Sequence, residues 1–139
     1  MLIFTLVHPG EPLTKSNTLQ TSFKGKKARR FVYIPARIKA YEAGLREHAK
    51  QAFGKKRPTK QYVRMTVHFY LGTLRRKDLQ NLDKSLCDAF NGIVYKDDNQ
   101  IHELHEYKHL DRKNPRVEVQ IETFQNPSWA EDEVDDSSD

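Results

Sequence analysis

Residues 62–71, YVRMTVHFYL, set the strongest limit on what this chain can fold into. Val63, Met65, Val67 and Phe69 alternate with Tyr62, Arg64, Thr66, His68 and Tyr70, the period of a strand buried on one face. Further along, the period changes. Leu79, Leu82, Leu86, Ala89 and Phe90 fall on one face at about 100° per residue, the pattern of an amphipathic helix over 79–91 closed by Gly92. A half-buried strand and a one-faced helix each need an apolar surface to cover, so they point to a layered domain of sheet and helix.

The remaining segments extend that pattern. LIFTLVH (2–8) reads as a strand. From Ala36 to about Phe53 the residues Ile38, Tyr41, Leu45, Ala49 and Ala52 recur at helical spacing, after Pro35 and before Gly54. HELHEYKHL and RVEVQIETF read as two strands separated by the turn DRKNP. The order β-α-β-α-β-β predicts an α+β fold: one small domain with a mixed sheet and two helices packed on it. Residues 9–32 hold Pro9, Gly10, Pro12, Gly25 and the run KGKKARR, and read as a long loop. The domain is expected over 1–125, with 126–139 an acidic, disordered tail.

A chain of 139 residues, 37% of them hydrophobic, has room for one thin core under a charged surface. No segment approaches the roughly 18 to 20 apolar residues that would span a membrane, and LIFTLV lacks the charged flank of a signal peptide. Cys87 is the single cysteine, which excludes an internal disulfide framework and a CxxC zinc site. A cytoplasmic protein without a membrane partner is the expectation. The net charge of +5 hides an asymmetry, because residues 131–139 hold six acids and no bases. Between Lys15 and Lys77 there are 18 Lys/Arg and two acids, Glu42 and Glu47. Such an excess favours a polyanion, bound through phosphate neutralisation and counterion release. Lys15, Lys24, Lys26, Lys27, Arg29, Arg30, Arg75, Arg76 and Lys77 are the candidate phosphate contacts.

Acidic residues stand within this basic background. Asp78 follows Arg75-Arg76-Lys77 and precedes the second helix, where it could act simply as an N-cap. Gln80, Lys84 and Asp88 form a polar line on that helix, with Lys84–Asp88 spaced as an i,i+4 ion pair. Asp97 and Asp98 sit in the turn beyond the helix and could fold back towards Asp78, although turn aspartates are common for their own sake. Together the parts suit metal-dependent phosphodiester cleavage. Carboxylate oxygens hold Mg²⁺, which polarises the phosphate and lowers the pKa of an attacking water, and a lysine stabilises the transition state. The histidines His102, His105 and His109 lack a zinc pattern, and Cys87 reads as packing. The chain lacks a Gly-rich phosphate loop and a GxSxG turn, so no small-molecule cofactor is expected.

The stretch DLQNLDKSLCDAFNGIVYKDDNQI resembles the RusA-type Holliday junction resolvases, whose core motif is Asp-x-Asp-Asn-x-x-Lys followed by an Asp-Asp-x-Gln turn. Asp78, Asn81, Lys84, Asp88, Asp97, Asp98 and Gln100 fall in register, and Lys108 matches a recurring downstream lysine. GEPLTKSN and the basic segment after it are similar in kind. The resemblance covers most of residues 1–124 and is densest over 78–108. It implies a small homodimeric, Mg²⁺-dependent endodeoxyribonuclease (Mn²⁺ as the alternative ion), often phage- or prophage-encoded, that binds four-way DNA junctions and nicks two strands. Carried over by position, Asp78 and Asp98 would be metal ligands, Lys84 the catalytic lysine, and Asn81 and Asp97 supporting residues. The resemblance assigns no role to Gln100 or Lys108.

Gln80 departs from the pattern, standing where the family has its second aspartate. Its carbonyl oxygen can take that place as a ligand, but without the charge that binds a hard cation well. It is a natural variant completed by Asp83 or water, a natural loss of cleavage, or a deliberate substitution. Asp83 is a poor replacement, lying about 60° around the helix towards the apolar face. Two readings therefore stand, a resolvase and a catalytically inactive dimer that binds branched DNA. An RNA-binding module displaying Tyr62, Phe69 and Tyr70 is a distant third.

Overall fold

The computed structural model describes residues 1–15, 18–24, 27–75 and 77–124, without side chains over 18–24 and 27–33. The tail expected over 126–139 lies outside the described residues. Eight elements follow one another: β1 (Leu2–Pro9), β2 (Thr18–Lys24), β3 (Lys27–Tyr33), α1 (Ala36–Phe53), β4 (Val63–Leu71), α2 (Leu79–Phe90), β5 (Ile101–Leu110) and β6 (Arg116–Thr123). A single 3₁₀ turn, Asp98–Gln100, leads into β5.

The main sheet runs in the order β1-β6-β4-β5. β6 is antiparallel to both β1 and β4, whereas β4 and β5 are parallel. The expected α+β order is therefore present, with β2 and β3 added as a separate antiparallel hairpin. That hairpin takes up the later part of the loop expected over residues 9–32, while residues 11–15 are irregular as expected. Thr18, Thr21, Phe23, Phe31, Val32 and Tyr33 are residues that suit strands. The intervening lysines, arginines and glycine obscured them.

Alternation in β4 works as anticipated, since Val63, Met65, Val67, Phe69 and Leu71 are fully buried while the residues between them are half-buried. They meet Leu45, Ala49 and Phe53 of α1 and Leu82, Leu86, Ala89 and Phe90 of α2 in one core. Phe4 joins the layers, its ring edge-on to Phe53 at 5.9 Å and to Phe90 at 5.3 Å. Each such side chain contributes about 1.5–3 kcal/mol on burial, and truncating Phe4 to alanine would cost about 3–5 kcal/mol.

The opposite sheet face carries the other parity. Arg64 pairs with Glu103, His68 Nδ1 lies 2.8 Å from His109 Nε2, and the Arg116 guanidinium sits 3.7 Å over the Tyr70 ring. No described helix is long and apolar enough to cross a membrane.

The C-terminal end of α2 is anchored. Gly92 closes the helix at φ 76, a value that favours glycine, and its N–H donates to Tyr95 O at 2.8 Å. Arg46 of α1 donates to the free carbonyls of Ala89 (3.3 Å) and Asn91 (2.8 Å). The buried Tyr95 hydroxyl donates to Cys87 O at 2.9 Å, which fixes the following turn against the helix.

Candidate active site

Asp78 occupies the N-cap of α2 with extended backbone angles, and its carbonyl accepts from Asn81 N–H (3.1 Å) and Leu82 N–H (3.0 Å). Its carboxylate makes no capping bond. The ordinary structural task of an N-cap aspartate is thus left undone, and an exposed carboxylate points to other use. The backbone around it is tightly held. Lys108 Nζ donates to Lys77 O at 2.9 Å, and Lys77 Nζ donates to Pro12 O at 3.1 Å. Glu11 Oε2 accepts from Gly72 N–H at 2.8 Å, and Lys15 N–H donates to Asn81 O at 2.8 Å. Residues 11–15 therefore strap the loop before α2 to the helix itself.

Gln80 and Lys84 are exposed on α2. The Lys84–Asp88 ion pair expected from spacing does not form. Lys15 takes Asp88 instead, with Nζ 2.9 Å from its carboxylate and 2.6 Å from Glu42. Lys84 makes no ion pair among the described residues, which leaves its ammonium available to a phosphate. Asn81 is half-buried and takes part through its backbone groups. Asp83 does not complete the Asp78–Gln80 end, because its side chain meets Glu106 of β5 carboxyl to carboxyl. Burial first, then Asp83, pushes Glu106 up to about 8, and Asp83 itself is raised by burial. Glu106 Oε2 is buried with no donor among the described residues. Two carboxyls in contact share one proton in preference to ionising together.

The second acidic cluster is a capping structure. Asp97 caps the 3₁₀ turn, its side chain accepting from Asp98 N–H at 3.0 Å. Buried Gln100 completes the capping box: Oε1 accepts from Lys96 N–H (2.9 Å) and Asp97 N–H (3.0 Å). Its Nε2 donates to Thr59 O and Gln61 O, both at 2.9 Å. This explains the glutamine in the DDNQ turn: it bolts the turn to the connection between α1 and β4. Asp98 is raised from its ordinary value by partial desolvation, then by repulsion from Asp97 and from Asp88. Cys87 lies under the same cluster, and burial pushes its thiol up, as packing requires.

The two clusters do not meet within one chain. Asp98 keeps company with Asp97 and Asp88, and Asp88 lies in the last turn of α2, whereas Asp78 stands before its first. Ten residues of helix separate them by about 15 Å. Among the described residues no three His, Cys, Asp or Glu side chains gather as a metal site. Oxygen donors are present at both ends, Asp78 with Gln80 and Asp98 with Asp97, which is the donor chemistry that Mg²⁺ or Mn²⁺ takes. The residues suit the ion in kind, divided between two places.

The candidate phosphate contacts divide likewise. Lys15 and Lys77 have their ammonium groups in structural bonds, and Arg75 is exposed. Lys24, Lys27, Arg29 and Arg30 lie in the β2–β3 hairpin by backbone, while Lys26 and Arg76 fall outside the described residues. Glu106 was not singled out from sequence. Its signal was parity, since it faces the helices as Leu104 and Lys108 do, opposite Val67 of β4.

A family model described as endodeoxyribonuclease RusA matches residues 9–122. A crossover junction endodeoxyribonuclease RusA of Aquifex aeolicus (strain VF5) is 29% identical over 117 residues, 84% of this chain and 88% of that protein. The match spans the strap, the free carboxylate of Asp78, α2 and the DDNQ turn. The chain belongs to the RusA family of endodeoxyribonucleases.

Proposed function

We propose that this chain is a divalent-metal-dependent endonuclease that binds four-way DNA junctions and resolves them by paired nicks as a homodimer. The observation that carries the reading is the exposed Asp78 carboxylate, which makes no capping bond, at the head of a helix whose Lys84 makes no ion pair among the described residues. Asp78 and Asp98 would hold Mg²⁺ or Mn²⁺, with the Gln80 carbonyl oxygen in place of a second carboxylate. Bound there, the ion supplies positive charge that polarises the phosphate and acidifies a water. The chain's own residues do the rest. Lys84 places an ammonium against the charge that develops on the scissile phosphate, and Gln100 and Lys108 hold the two acidic ends in place. The homodimer is part of this proposal. Two copies would offer two sites to a two-fold substrate, and Asp98 of one copy would have to meet Asp78 of the other to complete each site.

A second reading rests on Gln80 alone, a neutral amide that weakens a site for a hard cation. It makes the chain a junction-binding dimer without cleavage. A labelled four-way junction with Mg²⁺ separates the two. Nicking by the chain as given, abolished in Lys84→Ala with junction binding retained, supports the nuclease. Nicking that arises only in Gln80→Asp establishes the binding-only form.

A further inference from the structure

The connection between α1 and β4, KKRPTK, looks like a linker by composition, but the structure gives it a position. Thr59 N–H donates to Val94 O at 2.9 Å, and the carbonyls of Thr59 and Gln61 receive the two hydrogen bonds of Gln100 Nε2. Lys60 thus stands between the two carbonyls that anchor the Asp97–Asp98 turn. Lys55, Lys56, Arg57 and Lys60 are all exposed, and no carboxylate among the described residues pairs with them. Lys50 and Lys56 also line a cleft of about 170 Å³ between the ends of the two helices, with Gly54, Pro58 and Gly92.

A structural role is the competing explanation, because the C-termini of α1 and α2 both end nearby and attract cations. Each helix end carries about half a negative charge. Arg46 already answers the end of α2 through Ala89 and Asn91, and Lys50 lies in the last turn of α1. Those two cations meet that demand. Lys55, Lys56, Arg57 and Lys60 are four further charges with no ion-pair partner among the described residues, and Lys56 lies 5.7 Å over the Phe53 ring.

We propose that Lys55, Lys56, Arg57 and Lys60 form a phosphate-binding ridge that holds a DNA backbone beside the Asp98 end of the site. The ridge gives the Asp98 end of α2 a cationic partner for a strand, as the exposed Arg75 does for the end that carries Asp78. It rests on the endonuclease reading for its ligand, DNA, and goes beyond it in assigning the surface.

The test measures affinity for a four-way junction against salt concentration, using the full chain and the K55Q/K56Q/R57Q/K60Q variant. Each phosphate contact contributes about 0.9 to the slope of log affinity against log salt, so four contribute up to about 3.6. The ridge predicts a slope shallower by at least about 2 and an affinity at least ~10-fold weaker near ~0.1 M salt. The charge-preserving variant K55R/K56R/R57K/K60R should keep the wild-type slope. An unchanged slope in the glutamine variant overturns the ridge, and so does an equal loss in the charge-preserving one. An unchanged thermal midpoint in both variants shows that they fold. A wild-type chain that binds duplex and junction equally and never nicks would sink the resolvase reading, while the slope comparison on duplex would still decide the ridge.

Discussion

The ammonium of Lys108 donates to the carbonyl of Lys77 at 2.9 Å, so the outermost strand of the sheet holds the peptide directly ahead of Asp78. Lys108→Met keeps the aliphatic stem and removes the donor. The expected result is junction affinity within about twofold of wild type, with single-turnover nicking slowed by up to about 100-fold, the scale on which a misplaced group acts. Equal losses in affinity and rate would make Lys108 a DNA contact instead.

Gln80→Asp restores a carboxylate on the exposed side of α2. Half-saturation for Mg²⁺ should fall and nicking should rise by about tenfold or more, since a charged oxygen replaces a neutral one. A Mg²⁺ titration of the nicking rate in both forms reads the change directly. An unaltered half-saturation would place this position outside the ion's reach.

Gln100 makes four hydrogen bonds from a buried position. Gln100→Leu leaves two N–H groups and two carbonyls without that partner, a loss expected to cost about 2–4 kcal/mol in urea unfolding. Gln100→Glu keeps the acceptor and loses the amide donors, so its cost should fall between the leucine variant and wild type.

Glu106 and Asp83 predict how stability depends on pH. Glu106 is raised from 4.5 to about 8 in the native state, by burial and by Asp83, and Asp83 is raised as well. Between those values the native chain holds a proton that the unfolded chain has released. Stability therefore falls as pH rises through this window and is insensitive to this group below it. Urea midpoints measured from about pH 5 to about pH 8.5 should decline in wild type and flatten in Glu106→Gln. A wild-type midpoint that rises across the range would show that the carboxyls do not share a proton.

Elements with one buried face could be read from the sequence because burial writes a period. The expected helix from Ala36 to about Phe53 and the alternation of β4 both appear as anticipated. The β2–β3 hairpin, which pairs outside the main sheet, escaped because lysines and arginines dominate its composition. Within the site, spacing identified the polar line of α2 but not its partners. Lys15 reaches Asp88 from 73 residues away, a competitor that an i,i+4 rule cannot foresee. The separation of Asp78 from Asp98 was hidden for a similar reason. It depends on β4 and β5 being parallel, and spacing along the chain does not encode strand direction.

That parallel pairing turns α2 into a ruler. A chain that leaves one end of β4 and enters β5 at the other must span the whole sheet, and the twelve residues of α2 measure the span. Adding one helical turn would carry Asp98 about 5.4 Å further from Asp78 without changing either residue. If both acidic ends serve one reaction, as proposed, the length of this helix is as much a catalytic parameter as the residues at its ends.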